Sequence, residues 1–161
     1  MTESSNLQVL IKEYAIGKIS PHSLPEVAEM LVSQGFESPS LLDLLIEETP
    51  YSGDLKILFE RALSELGLEV PDRNSAAVYL SLPFARKIVS GELSAHEGAM
   101  QIWEEVLWYL GHNIPEELVL FEANASLIED CLTDEEMCGS KHTKLITCCQ
   151  QEIIAAARKL I

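Results

Sequence analysis

The residues best suited to chemistry by type are four cysteines and four histidines. Cys131, Cys138, Cys148 and Cys149 all fall after residue 130, with His142 among them. On a helix Cys138 and His142 stand at i and i+4, a spacing that can share a metal ion. Zinc sites, however, are built from short Cys-x-x-Cys-type pairs, and this chain has none. Cys148 and Cys149 are adjacent, so on a helix they diverge by about 100° and cannot grip one ion. The expectation is metal-free, reduced cysteines in or near the core, with no cofactor. His22, His96, His112 and His142 are the candidate bases. None sits beside a serine or cysteine in a nucleophile motif, and no Glu-x-x-His pair of the di-iron kind occurs. The glycines stand singly, so no phosphate-cradling loop is present. The enzymatic alternative is therefore a site between helices near His22 and His96.

Charge carries the stronger signal. The chain has 26 acidic and 11 basic residues, a formal net charge of −15. Such a balance argues against nucleic acid and anionic membranes, both of which require Lys and Arg to displace counterions. Between Lys87 and Lys141 there is no Lys or Arg, while carboxylates run from Glu92 to Glu136. A solvated face is the ordinary reading of such a run. Like charges at helical spacing nevertheless repel, and this run contains Trp108, an aromatic of the kind that anchors interfaces. Within Gly91–Gly111, Ala99, Ile102, Trp103, Val106, Leu107 and Leu110 form one apolar helical face. Glu97, Gln101, Glu104, Glu105 and His112 take the other side, and Trp108 falls among them. These six polar-side residues, Trp108 included, form the expected partner-binding surface. Its partner would be a basic protein or a second copy of the chain.

In composition and size the chain is similar to bacterial immunity proteins, small acidic proteins that neutralise a basic partner. That likeness implies a toxin-neutralising or regulatory binding role. It carries over no residue roles, because no motif supports it.

The elements that must position Trp108 read as helices throughout. Apolar residues make up 47% of the chain, and no stretch alternates with the period of two that a half-buried strand requires. Glycines 17, 35, 53, 67, 91, 111 and 139 divide the chain into helix-length pieces. Helices are expected at Asn6–Ile16, from Ser23 to Gly35, from Ser38-Pro39 to before Pro50, and from Ser52 or Asp54 to Gly67. Ser23 is the preferred cap of the second, since a start at Ser20 would put Pro25 too deep. The third carries Leu41, Leu42, Leu44, Leu45 and Ile46. A fifth runs from Ser75 to Val89, where Pro83 should kink or split it and Ser81 could cap a new start. Ser94 and Glu97 form a capping box for the helix that ends at Gly111. Asn113-Ile-Pro-Glu116 opens another helix, Thr133–Glu136 caps a short turn, and a final helix spans Lys141–Leu160.

The expected fold is all-α: a compact orthogonal bundle of seven to nine short helices, with a short stack of helical hairpins as the alternative. One domain is expected over 1–161, with pseudo-halves 1–70 and 75–161 meeting at the Glu69–Asn74 loop. Gly17–His22 echoes Gly91–His96, which permits either a duplicated helix pair or turn chemistry reached twice. The start of the chain lacks a basic, apolar signal segment and no window is long enough to span a bilayer, so a cytoplasmic location is expected.

Overall fold

A computed structural model of the chain describes residues 2–46, 51–133 and 140–161. Among these residues the secondary structure is helical, with no strand. Eight α-helices are seen: α1 (Thr2–Ile16), α2 (Leu24–Ser33), α3 (Pro39–Ile46), α4 (Ser52–Glu65), α5 (Arg73–Ser90), α6 (Ala95–Glu105), α7 (Val119–Thr133) and α8 (Ser140–Leu160). Short 3-10 turns cover Pro21–Ser23, Leu107–Tyr109 and Glu116–Leu118. The chain forms two compact units, residues 1–72 and 73–161, and the division falls between Asp72 and Arg73, the first residue of α5.

The first unit packs α1 to α4 around Leu7, Ile11 and Tyr14, Leu24 and Leu31, Leu41 and Leu44, and Leu55, Phe59 and Leu63. Tyr14 and Phe59 meet edge to face, with ring centroids 4.9 Å apart. α2 and α4 end alike. At Gly35 and Gly67 φ is positive, which lets the chain reverse without a Cβ penalty. Phe36 then donates its N–H to Leu31 O (3.0 Å) and Leu68 to Leu63 O (2.8 Å). Phe36 and Leu68 both lean onto the core, completing the hydrophobic contact that accompanies such caps. α3 is tied to α4 at its start: Glu65 accepts bonds from Ser40 N (3.1 Å) and Ser40 Oγ (2.8 Å). Ser38 Oγ accepts from Leu41 N, capping α3 as its sequence suggests.

One local expectation for this unit is corrected. Ser23 does not cap α2; it is already helical (φ −88°, ψ −6°) and its side chain makes no capping bond. The chain leaves extended geometry at Ser20 and enters through one 3-10 turn begun by Pro21. The tighter turn absorbs the residues that would have placed Pro25 too deep, so Pro25 sits in the first turn of α2. α3 buries only Leu41 and Leu44 of its five large apolar residues, leaving Leu42, Leu45 and Ile46 exposed. The expected helix end before Pro50 lies outside the described residues.

In the second unit α6 packs against α5, α7 and α8, and α8 packs in turn on α5 and α7. The face of α5 that meets these neighbours is made of small residues, Ala76, Ala77, Ser81 and Ala85, with Ile88 near its end. α6 answers with Gly98 and Ala99, both buried. A Cβ at Gly98 would overlap the Ile88 side chain, so this glycine is what allows α5 and α6 to approach. Of the kink or split expected at Pro83, the split does not occur: α5 runs unbroken from Arg73 to Ser90. Ser81 caps nothing: it is buried and its hydroxyl donates back to Ala77 O at 2.9 Å. Tertiary packing of the alanine face outweighs the one N–H that Pro83 cannot donate. Thr133, expected to cap a short turn, is the last residue of α7, its hydroxyl donating to Glu129 O at 2.9 Å; the rest of the expected turn, 134–139, lies outside the described residues.

Candidate partner-binding surface

Trp108 stands just past a change of helix type. α6 opens with the expected capping box: Ser94 Oγ accepts from Glu97 N (3.2 Å) and Glu97 Oε2 accepts from Ser94 N (3.1 Å). It closes earlier than Gly111. Val106 makes the last α-helical bond, to Ile102 O, and then departs to φ −128°, ψ −59°. Leu107–Tyr109 follow as a 3-10 turn, closed by Leu110 N donating to Leu107 O at 3.0 Å. The Val-Leu-Trp-Tyr-Leu run is rich in residues that lose rotamer freedom in an α-helix. With three residues per turn, Leu107 and Leu110 fall on one side and Trp108 on another. Val106, Leu107 and Leu110 are all buried, whereas Trp108 is 74% exposed. The indole is therefore presented to solvent by a turn that is anchored on both sides.

The turn has a second tether. The Arg73 guanidinium, at the first residue of α5, donates to the carbonyl of Tyr109. The Trp108 turn thus rests against the start of α5.

The remaining expected surface residues divide into two groups. Glu104, Glu105 and His112 are exposed and lie within four residues of Trp108 along the chain. Glu97 is exposed too, but its carboxylate is engaged at the opposite end of α6, about 12 Å along the helix from Glu105. Its bonds with Ser94, side chain and backbone, hold that carboxyl below the usual range. Gln101 is half-buried midway along the same helix. The break at Val106 means that the regular 100° spacing no longer relates Trp108 to Glu97 and Gln101. Trp103, expected on the core face, is only half-buried.

Among the described residues the histidines and cysteines form no common site. His22 is exposed in the 3-10 turn before α2, and His96 belongs to the other unit. His96 Nε2 lies 2.8 Å from Glu129 Oε1 on α7, close enough for an ion pair when the ring is protonated, though without hydrogen-bond alignment. His142 Nδ1 is buried without a hydrogen-bond partner. Cys131 and Cys149 are buried and Cys148 is exposed, all as free thiols. Burial pushes the Cys149 thiol upward, helped by Cys148, Glu152 and Cys131 nearby. Cys138 lies outside the described residues. Among the described residues no three His, Cys, Asp or Glu side chains are grouped to hold a metal.

Two clefts adjoin one another in the second unit, and sequence reasoning missed both. The larger, about 370 Å³, is lined by Asn74, Ser75, Val78, Tyr79 and Leu82 of α5 and by Glu117. The smaller lies between Glu116, Glu117 and Leu120 on one side and Ala156, Lys159 and Leu160 of α8 on the other. The only available signal was that Tyr79 and Leu120 occupy helix positions outside the apolar stripes.

No protein-family profile, curated protein or solved structure matches the chain. Among the described residues no helix is long and apolar enough to cross a membrane.

Proposed function

We propose that this protein is an acidic, cytoplasmic binding module that uses the surface around Trp108 to hold a basic protein partner. A toxin-neutralising or regulatory role is the concrete form of this reading. The observation that carries it is the 74% exposure of Trp108 on a turn whose flanking residues are buried. An exposed tryptophan offers a large contact area at little further entropic cost, because the turn beneath it is already ordered. Glu104 and Glu105 stand just before it, in a stretch of 53 residues without Lys or Arg. The resulting field draws cations toward the indole face, where Arg or Lys gains cation–π attraction.

The test compares two tryptophans. Trp108→Ala should leave stability within about 0.5 kcal/mol, as exposed substitutions do. Trp103→Ala, being half-buried, should cost roughly 2 kcal/mol, less than a full core truncation. A partner recovered from the source cell and then purified should bind Trp108→Ala about thirty-fold more weakly, the equivalent of roughly 2 kcal/mol. Full affinity in that variant would remove Trp108 as the anchor. A melting curve for Trp108→Ala as low as that of Trp103→Ala would make it a packing residue instead.

A further inference from the structure

The larger cleft and the Trp108 turn lie on neighbouring parts of the second unit. Asn74 begins the cleft, and Arg73, one residue earlier, bonds the carbonyl of Tyr109. From Asn74 to Leu82 one face of α5 forms a wall about 12 Å long, and Glu117 stands on the opposite lip. The floor is apolar: Val78, Leu82 and the Tyr79 ring, which is 40% exposed. The volume of about 370 Å³ is at the small end for a ligand site and suits one or two large side chains. Among the described residues Glu117 is the one charged group lining this cleft. Beyond it, in the smaller cleft, Lys159 faces Glu116 and Glu117.

We propose that the cleft between α5 and Glu117 receives the apolar anchor side chain of the same basic segment that meets Trp108. The inference rests on the Trp108 reading and adds the chemistry of the partner: an amphipathic segment with large apolar residues on one face and Lys or Arg beside them. Charge fixes the direction of the track. A cation next to the anchor finds Glu117, whereas continuing along α8 brings it to Lys159, which repels it. The favourable course runs the other way, past the start of α5 to Trp108, Glu104 and Glu105. Arg73 lies on that course with its guanidinium on the Tyr109 carbonyl, so a partner's cations must straddle it. A basic segment without an apolar face gains only the diffuse attraction of a chain at −15.

The test uses the full chain and a fluorescein-labelled 16-residue peptide of leucine and lysine in amphipathic helical order, followed by anisotropy at physiological salt. Glu117→Lys and Tyr79→Ala should each raise Kd at least ten-fold, and Trp108→Ala should do likewise. Glu26→Lys, the same charge change on exposed α2 of the other unit, should change Kd less than two-fold. Peptides with serine for leucine, or glutamate for lysine, should bind at least ten-fold more weakly than the parent. Glu117 is exposed, so Glu117→Lys keeps the test decisive even where Tyr79→Ala fails to fold. Equal weakening by Glu117→Lys and Glu26→Lys would reduce the effect to net charge and overturn the proposal. So would a serine peptide that binds as well as the parent, or no binding of the parent at all. If Trp108→Ala weakens binding and both cleft variants do not, the cleft assignment falls while the Trp108 surface stands. A concentration-dependent dimer that Tyr79→Ala dissolves would assign the cleft to a second copy, again overturning the proposal.

Discussion

Gly98→Ala sets two physical effects against each other in one substitution. Helix propensity alone favours alanine over glycine inside a helix by about 1 kcal/mol. Packing opposes it. A Cβ built on Gly98 would lie 2.5 Å from Ile88 Cδ1 and closer still to Cγ1, whereas carbons rest at about 3.5–4.0 Å. Cδ1 is a free end that can swing, but Cγ1 is fixed to the branched Cβ. Ile88 is only 4% exposed, so it has little room to rotate. Overpacking of this kind costs about 1–3 kcal/mol, and the lack of an escape route argues for the upper end. The net expectation is destabilisation by about 2 kcal/mol once the propensity gain is deducted. Both tryptophans of the chain are in the second unit, so urea unfolding followed by indole fluorescence reports on the unit that contains Gly98. The double variant with Ile88→Ala isolates the clash. Ile88→Ala alone should cost about 2–5 kcal/mol, and the pair should cost less than the sum by about 3 kcal/mol, the full clash before the propensity gain is deducted. A stabilised Gly98→Ala, or a coupling below about 0.5 kcal/mol, would refute the claim that this glycine sets the approach of α5 and α6.

Two further outcomes are expected. Glu65 is held below the ordinary carboxylate range, first by the backbone N–H of Ser40 and then by its hydroxyl, so its contribution is present above about pH 4.3 and is lost as pH falls through the depressed value. Protection of the amides at the start of α3, taken relative to their intrinsic exchange rate at each pH, should fall over that acidic interval, and in Glu65→Gln it should be low throughout; an unchanged profile would dismiss the tie. Thiol labelling of the native chain, mapped by mass spectrometry, should mark Cys148 promptly and Cys131 and Cys149 only on unfolding, because the latter two are buried and burial raises the Cys149 thiol. Prompt labelling of Cys149 would contradict its burial.

What the sequence made legible was local. Ser94 and Glu97 are three residues apart and close their box without help from the rest of the chain. Gly35 and Gly67 reverse the chain because the following Phe36 and Leu68 are apolar and near enough to fold back. What it concealed depended on distant residues. The kink or split expected at Pro83 follows from its missing N–H, a local fact, whereas the alanine face that keeps α5 whole has meaning only against α6 and α8. The cleft at Tyr79 needs Glu117, which is 38 residues further on.

Trp108 stands between these cases. A continuous helix turns it away from the apolar face, and the 3-10 turn at Leu107–Tyr109 does so as well. The two geometries agree about Trp108 but disagree about its company. A continuous helix would set Glu97 and Gln101 in line with the indole; the break at Val106 removes that relation, leaves Glu104, Glu105 and His112 as its exposed polar neighbours along the chain, and ties the turn to the start of α5 through Arg73. Exposure of one side chain follows from which residues beside it must be buried, and that much a sequence pattern carries. The composition of a surface follows from where the backbone goes next. Here that path turns on a single residue, Val106, at which the α-helix stops.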